Sequence, residues 1–313
     1  MSQPYLSIII LSYNTKQITL DAIKSIEKNY QKEVTDGSFE VIVTDNASPD
    51  NSLQAFIDYK KHTKIKSFYP VDNGGNLGFS AGNNKGIKYA KGKYVLFLNP
   101  DTLVYPNTLT YMLEFMDTHP EVGASTCKLL NKDGAIDFNC HRGFPTPWNA
   151  FCFFSGLQRK FPHSRLFAGY TQGWKDMNTI HEVDAIEGAF MLIPFKVGEK
   201  VGWWDEEYFF YGEDLQFCFD IRKLDYKIYY VGKVSIMHIG GASSGIKPTS
   251  LQITKDNIIG KKKVQTWRFD AMRIFFKKNY SSQYPLIISW FISVGITFMK
   301  VKAMKRLDNA LQK

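Results

Sequence analysis

The feature that most constrains the fold is a series of short apolar runs, each followed by polar residues. Four such runs occupy residues 6–11, 39–44, 66–69 and 94–98. A continuous apolar run is typical of a strand buried on both faces, as in parallel sheets. After the first run, apolar residues recur at helical spacing, at Ile18, Ala22, Ile23 and Ile26. Strands that alternate with helices predict an α/β fold with a largely parallel, doubly wound sheet.

Three of the predicted strands stop at polar residues that are able to bind a ligand. These residues are Asn14, Asp45 and Asp101. In open α/β sheets, ligands bind beyond the carboxyl ends of the strands. The coincidence therefore predicts a ligand site at this edge of the sheet.

The second half of the chain is less regular. A helix is predicted within about residues 109–123, ending near Pro120, and the prolines and aromatics of residues 128–173 indicate loop-rich structure. Further on, periodicity predicts a glycine-containing strand over 183–193, a helix over about 213–223, and short strands over 227–231 and 234–237.

Basic charge is concentrated at the C-terminal end. The net charge is +9, yet residues 261–313 carry twelve lysines and arginines and two aspartates, so the first 260 residues sum to −1. A nucleic-acid enzyme would more often carry this charge around its active cleft. A basic tail on a near-neutral body instead indicates an anionic membrane surface as partner. We therefore divide the chain into a catalytic domain, 1–255, and a helical, membrane-associating extension, 256–313.

The extension holds an uncharged stretch of fourteen residues, 286–299, followed by Lys300, Lys302, Lys305 and Arg306. Crossing a bilayer takes about 20 apolar residues. We therefore expect this basic, amphipathic segment to lie in the membrane interface. The alternative is a pair of ordinary helices packed on the catalytic domain.

Cysteine usage and the N-terminus bear on the compartment. Cys127, Cys140, Cys152 and Cys218 form no Cys-x-x-Cys pair, which argues against a zinc site and fits a reduced, cytosolic setting. The first apolar run is too short for a signal peptide. The expected location is therefore cytoplasmic, peripheral on the inner face of the cell membrane.

Several motifs occur together in a fixed order and resemble those of family 2 glycosyltransferases, over roughly residues 5 to 245. The resemblance is to the rhamnosyltransferase and galactofuranosyltransferase branch. The motifs are Ser7-Ile-Ile-Ile-Leu-Ser-Tyr-Asn14, Val43-Thr-Asp-Asn-Ala-Ser48, Gly75-Asn-Leu-Gly-Phe-Ser-Ala-Gly-Asn-Asn-Lys-Gly86, Leu98-Asn-Pro-Asp-Thr102, Trp203-Trp-Asp-Glu-Glu207, Gly212-Glu-Asp-Leu215 and Met237-His238. The resemblance implies the GT-A fold, a Rossmann-like mixed sheet, and transfer with inversion at the anomeric centre.

The same resemblance implies a nucleotide-diphospho-sugar donor and a divalent cation, Mg²⁺ or Mn²⁺. Asp101 and His238 would bind the metal. The family has an Asp-x-Asp motif where this chain has Asn99-Pro100-Asp101, so one carboxylate is missing. The expected donor-binding residues are Ser12, Tyr13, Asn14, Asp45, Asn46, Asn76, Gly78, Asn99 and Asp101. Asp45 and the glycines could equally form turns.

Residues 202–214 form an acidic, aromatic cluster. By resemblance, Asp214 is the general base that takes the proton of the acceptor hydroxyl. The expected acceptor-binding residues are Trp203, Trp204, Asp205, Glu206, Glu207 and Glu213. The alternative for Glu213 and Asp214 is complementation of a helix dipole, and at least one tryptophan is expected in the core.

The expected reaction moves a sugar, first L-rhamnose from dTDP-rhamnose, to a saccharide or a polyprenyl-diphosphate-linked saccharide in cell-surface polysaccharide synthesis. A UDP-galactofuranose or other hexosyl donor stays open, as does the oligomeric state. A processive synthase is disfavoured because Gln265-Thr-Trp-Arg268 has the wrong order for Gln-x-x-Arg-Trp. A nucleotidyltransferase would need a Gly-rich, basic signature near the first strand, and Ser12-Tyr13-Asn14-Thr15 lacks one. A non-catalytic sugar-binding module would not need Asp101, Asp214 and His238 together.

Overall fold

A computed structural model describes residues 3–240 and 258–311 of the chain. The proposed boundary at residue 255 lies outside the described residues. The elements of the first half are β1 (Leu6–Ser12), α1 (Lys16–Asn29), α2 (Gln31–Asp36), β2 (Phe39–Asp45), α3 (Ser52–Lys60), β3 (Phe68–Asp72), α4 (Gly78–Ile87) and β4 (Tyr94–Leu98). This is the alternation of strands and helices that the sequence predicts.

The second half is a mixture of short strands and helices. It comprises β5 (Thr102–Val104), α5 (Thr108–Thr118), β6 (Val122–Leu130), β7 (His141–Arg142), α6 (Pro147–Ser155), α7 (Leu157–Lys160), β8 (Ile180–Val183), β9 (Ala185–Ile186), β10 (Phe190–Pro194), α8 (Phe195–Val201), α9 (Glu213–Lys223), β11 (Lys227–His238), α10 (Ile258–Asn279) and α11 (Leu286–Leu311).

One mixed sheet organises the described part of the chain, in the order β3-β2-β1-β4-β10-β6-β11-β5, with β8 added beside β11. Strands β1 to β4 pair in parallel, whereas β10 is antiparallel to both β4 and β6. β2 is buried along its whole length, as expected for a strand that is covered on both faces. The α/β prediction is confirmed, and the sheet is mixed as the resemblance implies.

The glycine-rich stretch after β3 forms a helix, which the sequence analysis did not predict. In α4, a Cβ atom added at Gly82 would lie 2.7 Å from Leu11 Cδ1, and one at Gly86 would lie 2.8 Å from Ile9 Cγ2. These glycines therefore allow α4 to pack closely on β1, and this packing outweighs their low helix propensity.

Other predicted boundaries differ because long-range pairing decides them. The helix predicted over 109–123 ends at Thr118, and residues Val122–Leu130 form β6 between β10 and β11. The strand predicted over 183–193 is broken into β9 and β10. The two strands predicted after residue 227 form one strand, β11, with a register shift between Val231 and Ser235. The segment predicted as loop-rich contains α6 and α7.

Helix α10 packs on α9 and on the segment after β7, and α11 packs on α10. Phe275 of α10 contacts Phe219 and Phe144, while Asn279 Nδ2 donates to Gln216 Oε1 at 2.7 Å. Lys300 of α11 then forms an ion pair with Asp270 of α10 at 2.9 Å. The first half of the predicted extension therefore packs on the body formed by residues 3–240.

Helix α11 is longer than the uncharged stretch suggested. It has 26 residues, and by length and composition alone the segment Leu286–Asn309 could cross a membrane. Only 6% of its most apolar window is buried, so this helix contributes little to the protein core.

Candidate active site

Several of the residues predicted to bind the nucleotide-sugar donor lie where β1 and β2 end side by side. Ser12 is in register with Asp45, and Asn46 N donates to Ser12 O at 3.0 Å. The Asp45 carboxylate is buried and accepts hydrogen bonds from Ser48 N and Ser48 Oγ, at 2.9 and 2.6 Å. Burial raises the pKa of Asp45, although the Ser48 bonds oppose that shift. Asp45 is thus held in a fixed orientation at the sheet edge.

Asn14 and Tyr13 follow β1 at the same edge. Asn14 N donates to Ser48 Oγ at 2.9 Å, and its backbone has a positive φ of 56°. The Tyr13 ring is 39% exposed, which leaves a face available for stacking on a base.

The polar residues near α4 mainly hold one another. Asn46 Nδ2 donates to Gly78 O at 2.9 Å, and Gly78 N donates to Asn76 Oδ1 at 3.1 Å. Gly78 has a φ of +81°, and an added Cβ would collide with the backbone oxygen of Phe209. These contacts link β2, the turn before α4 and the backbone at Phe209. Asn46, Asn76 and Gly78 therefore have structural roles.

The residues predicted to bind metal lie together. Asp101 follows β4, and His238 ends β11, which pairs with β5 so that His238 is opposite Thr102. His238 Nε2 lies 3.4 Å from Asp101 Oδ1, and both side chains are buried. At Asn99, the backbone N–H donates to Ala189 O at 3.0 Å.

Two further carboxylates, Asp137 and Glu187, approach His238. One ligand atom from each of these three residues lies within 4.8 Å of the other two. Carboxylate and imidazole donors fit a divalent cation such as Mn²⁺. The sequence analysis singled out neither carboxylate. Asp137 lies in the stretch predicted as loop-rich, and Glu187 lies inside the predicted strand 183–193, at the break between β9 and β10.

The predicted base, Asp214, is held by an arginine that the sequence analysis missed. Arg142 Nη2 donates to Asp214 Oδ2 in a buried ion pair, and Leu215 N donates to Asp214 Oδ1 at 2.7 Å. Burial by itself lowers the pKa of Arg142, but Asp214, Tyr170 and Glu187 outweigh it and raise that pKa. Arg142 therefore stays charged and lies near both Asp214 and Glu187.

Glu213, which precedes Asp214, is a buried acid with a raised pKa. It is buried in the first turn of α9, and burial together with the Asp214 charge raises its pKa from 4.5 to about 8. Its Oε2 has no hydrogen-bond partner among the described residues. The raised pKa favours the protonated form of Glu213 at neutral pH.

Most of the residues predicted to bind acceptor have structural contacts instead. Trp204 is 2% exposed and packs on Phe97 and Phe217, so it is a core residue and cannot stack on a sugar in this conformation. Trp203 contacts Phe97 and Phe195 and is partly buried.

The acidic side chains that follow the tryptophans bind neighbouring elements. Lys278 of α10 contacts Asp205 Oδ2 at 2.5 Å and Glu207 Oε2 at 2.7 Å. Glu206 Oε1 accepts from Asn84 Nδ2 at 2.9 Å. Residues 205–207 therefore link α4 to α10. This leaves Glu213 and Asp214 as the candidate catalytic carboxylates of the cluster.

Comparison with known proteins identifies the family. Residues 7–173, more than half of the chain, match the sequence family described as "Glycosyl transferase family 2". The chain belongs to glycosyl transferase family 2. The strand-end aspartates Asp45 and Asp101 lie within the matched residues, whereas Glu213, Asp214 and His238 follow them in the chain.

Two curated relatives and one solved structure locate the chain within this family. It is 28% identical over 239 residues to the low-salt glycan biosynthesis hexosyltransferase Agl10 of Haloferax volcanii, covering 74% of this chain and 66% of Agl10. It is 24% identical over 240 residues to the rhamnosyltransferase WbbL of Escherichia coli K12, covering 74% of this chain and 82% of WbbL.

The structural neighbour is the mannosyltransferase PcManGT of Pyrobaculum calidifontis, solved in complex with GDP-Man and Mn²⁺. The TM-score is 0.54 at 14% identity, over 98% of this chain and 88% of the neighbour. At this identity the similarity establishes the fold alone, which is the GT-A fold.

The charge state of Glu213 predicts how stability depends on pH. Because its pKa is raised in the folded state, the folded protein resists ionisation of this group. The contribution of Glu213 to the free energy of unfolding should therefore decline as pH rises from about 4.5 to about 8. Glu213→Gln, which mimics the protonated acid, should flatten this decline in urea unfolding at a series of pH values. An identical pH dependence in parent and variant would contradict the assignment.

Proposed function

We propose that the chain is an inverting glycosyltransferase that moves a sugar from a nucleotide-diphospho-sugar to a hydroxyl group of a saccharide. The observation that carries the proposal is the continuity of the site. The His238–Asp101 contact and the carboxylates beside it lie at the ends of the central strands, and Arg142 interacts with both Glu187 and Asp214. Family membership supports the reaction class.

Each part of the site has a defined task in this proposal. Asp45 and Tyr13, at the ends of β1 and β2, bind the nucleoside, since a buried carboxylate accepts hydrogen bonds and an exposed ring stacks. Asp101 and His238 would hold the divalent cation beside the diphosphate. When bound, such a cation neutralises the charge that develops on the leaving diphosphate.

Asp214 accepts the proton of the acceptor hydroxyl while that oxygen forms its bond to the anomeric carbon. The bond between that carbon and the diphosphate oxygen breaks, and the nucleoside diphosphate leaves with the electron pair. Arg142 orients Asp214 through their ion pair and hydrogen bond. Glu213, which is protonated, offers its O–H to the acceptor.

Exchange of the two acids for their amides should separate their roles. Asp214→Asn should lower the transfer rate about 10²–10⁴-fold, because the general base is removed. Glu213→Gln is the matched control, and it should retain most of the activity because the acid is already protonated. Transfer is measured as release of nucleoside diphosphate with acceptor present, and donor binding by calorimetry.

Donor binding should be unchanged in both variants. Full transfer activity of Asp214→Asn would refute its role as base. If Glu213→Gln were the more damaging change, the base would be Glu213.

For the donor, we propose dTDP-rhamnose first. The similarity to WbbL over 82% of that rhamnosyltransferase supports it, whereas Agl10 is named only as a hexosyltransferase. The alternatives are UDP-galactofuranose and other UDP-hexoses. In a panel of nucleotide sugars with Mn²⁺ or Mg²⁺, dTDP-rhamnose should give the fastest turnover. A faster reaction with any UDP-sugar would overturn this choice.

We further propose that α11 holds the protein on the inner face of the cell membrane, beside a polyprenyl-diphosphate-linked acceptor. The apolar side chains of α11 are exposed and recur along one side of the helix, at Leu286, Ile287, Trp290, Phe291, Val294, Phe298 and Val301. Exposed Lys302, Lys305 and Arg306 follow them. An apolar surface beside basic residues is typical of helices that bind anionic membranes.

Flotation with anionic vesicles tests this attachment. Phe291 and Phe298 are 61% and 67% exposed, so replacing both by Asp should leave the fold intact. Burial of each ring contributes roughly 1.5–3 kcal/mol, so loss of both should lower the partition coefficient by about two to four orders of magnitude. The control replaces Ile57 and Tyr111, exposed on α3 and α5, by Asp. Equal flotation of the parent and the α11 variant would refute the proposal.

A further inference from the structure

We propose that Asp137 and Glu187 are ligands of the divalent cation, together with Asp101 and His238. They would supply the carboxylate oxygens that Asn99 cannot. This inference rests on the proposed function, in which a cation binds beside the diphosphate of the donor. It assigns ligand roles to two residues that no sequence motif singled out.

The first argument is convergence of residues from four separate segments. Asp101 follows β4, Asp137 lies between β6 and β7, Glu187 lies between β9 and β10, and His238 ends β11. One ligand atom each from Asp137, Glu187 and His238 lies within 4.8 Å of the others, while His238 Nε2 is 3.4 Å from Asp101 Oδ1. Ligands on opposite sides of a small divalent ion lie about 4 Å apart, so the atoms of Asp137, Glu187 and His238 are spaced for one ion, and Asp101, which contacts His238, would turn towards it.

The second argument is the electrostatic cost of this arrangement. Asp101, Asp137 and His238 are each at most 6% exposed, and Glu187 is partly buried. Bringing three carboxylates together away from water is unfavourable unless positive charge compensates them. Arg142 lies near Glu187, but its guanidinium already forms the ion pair with Asp214. A divalent cation would supply the larger compensating charge.

The third argument concerns how the two carboxylates are oriented. Asp137 Oδ1 accepts from Asn139 N at 3.0 Å and from Asn139 Nδ2 at 2.7 Å. The backbone N–H of Asp137 donates to Leu129 O at 2.9 Å, and that of Glu187 donates to Cys140 O at 3.4 Å. A carboxylate has about four acceptor positions, so these bonds can orient Asp137 and still allow it to bind metal.

The ligand set also predicts a metal preference. Mg²⁺ favours all-oxygen sites and keeps several waters, whereas an imidazole nitrogen is more readily accepted by a transition metal. With His238 as a ligand, the site should bind Mn²⁺ more tightly than Mg²⁺.

Binding of Mn²⁺ to the full chain provides the test. Free Mn²⁺ is measured by its EPR signal, with the metal alone and with saturating UDP or dTDP. Asp137→Asn and Glu187→Gln should each weaken Mn²⁺ binding by at least about tenfold. Asp133→Asn, which removes an exposed carboxylate from the neighbouring turn, should change the affinity less than twofold. Thermal melting checks that each variant is folded.

A second control separates metal binding from the turn that Asp137 stabilises. Asn139→Ala removes one of the two hydrogen bonds to Asp137 but leaves the carboxylate in place. It should keep Mn²⁺ binding within twofold of the parent. If Asn139→Ala weakened binding as much as Asp137→Asn, turn stabilisation would explain the effect and Asp137 would not be a ligand.

Other outcomes distinguish this inference from the proposed function. If His238→Ala abolished Mn²⁺ binding while Asp137→Asn and Glu187→Gln had no effect, the ligand assignment would be wrong and the function would survive. If the parent bound no Mn²⁺ yet transferred sugar in EDTA, the ligand assignment and the cation requirement would both fail. If Mn²⁺ bound as predicted but no nucleotide sugar reacted, the site would stand and the proposed function would fail.

Discussion

The antiparallel pairing of β10 with β4 is the constraint on which the site depends. It joins the parallel strands β3-β2-β1-β4 to the later strands β6, β11 and β5, and it sets Phe190 opposite Leu98. Since the start of β10 meets the end of β4, Glu187 is brought to the edge where Asp101 lies. The antiparallel pairing of β11 with β5 brings His238 to the same edge. Two pairings between distant segments thus assemble the residues proposed to bind the cation.

A smaller pairing organises the base. β7 and β9 pair so that Arg142 is opposite Ala185, next to the start of α9. Arg142 then binds Asp214 and lies near Glu187. One guanidinium therefore lies between the proposed base and the proposed metal ligands. Because charged groups interact strongly in a buried setting, donor binding at one end and proton transfer at the other would be coupled through Arg142.

Parts of this site could be predicted from the sequence because local pattern determines them. The apolar runs of β1, β2 and β4 end at polar residues, and the carboxyl ends of parallel strands meet at one edge. The start of α9 at Glu213 was also predictable. Arg142, Asp137 and Glu187 were not, because their positions depend on pairings between segments distant in sequence. Glu187 lies at the break between β9 and β10, inside the stretch predicted as one strand. The glycine-rich α4 was missed for a related reason: its glycines are explained only by the strand they pack against.

The acidic cluster is where the structure differs most from what the sequence predicted. Trp204 belongs to the core, while Asp205 and Glu207 join α10 to the body. The remaining claim, that Asp214 activates an acceptor for direct displacement at the anomeric carbon, has a stereochemical consequence. Proton NMR of the product formed from a donor of known anomeric configuration measures it directly. The account predicts a glycoside of inverted configuration, and a product with retained configuration would contradict it.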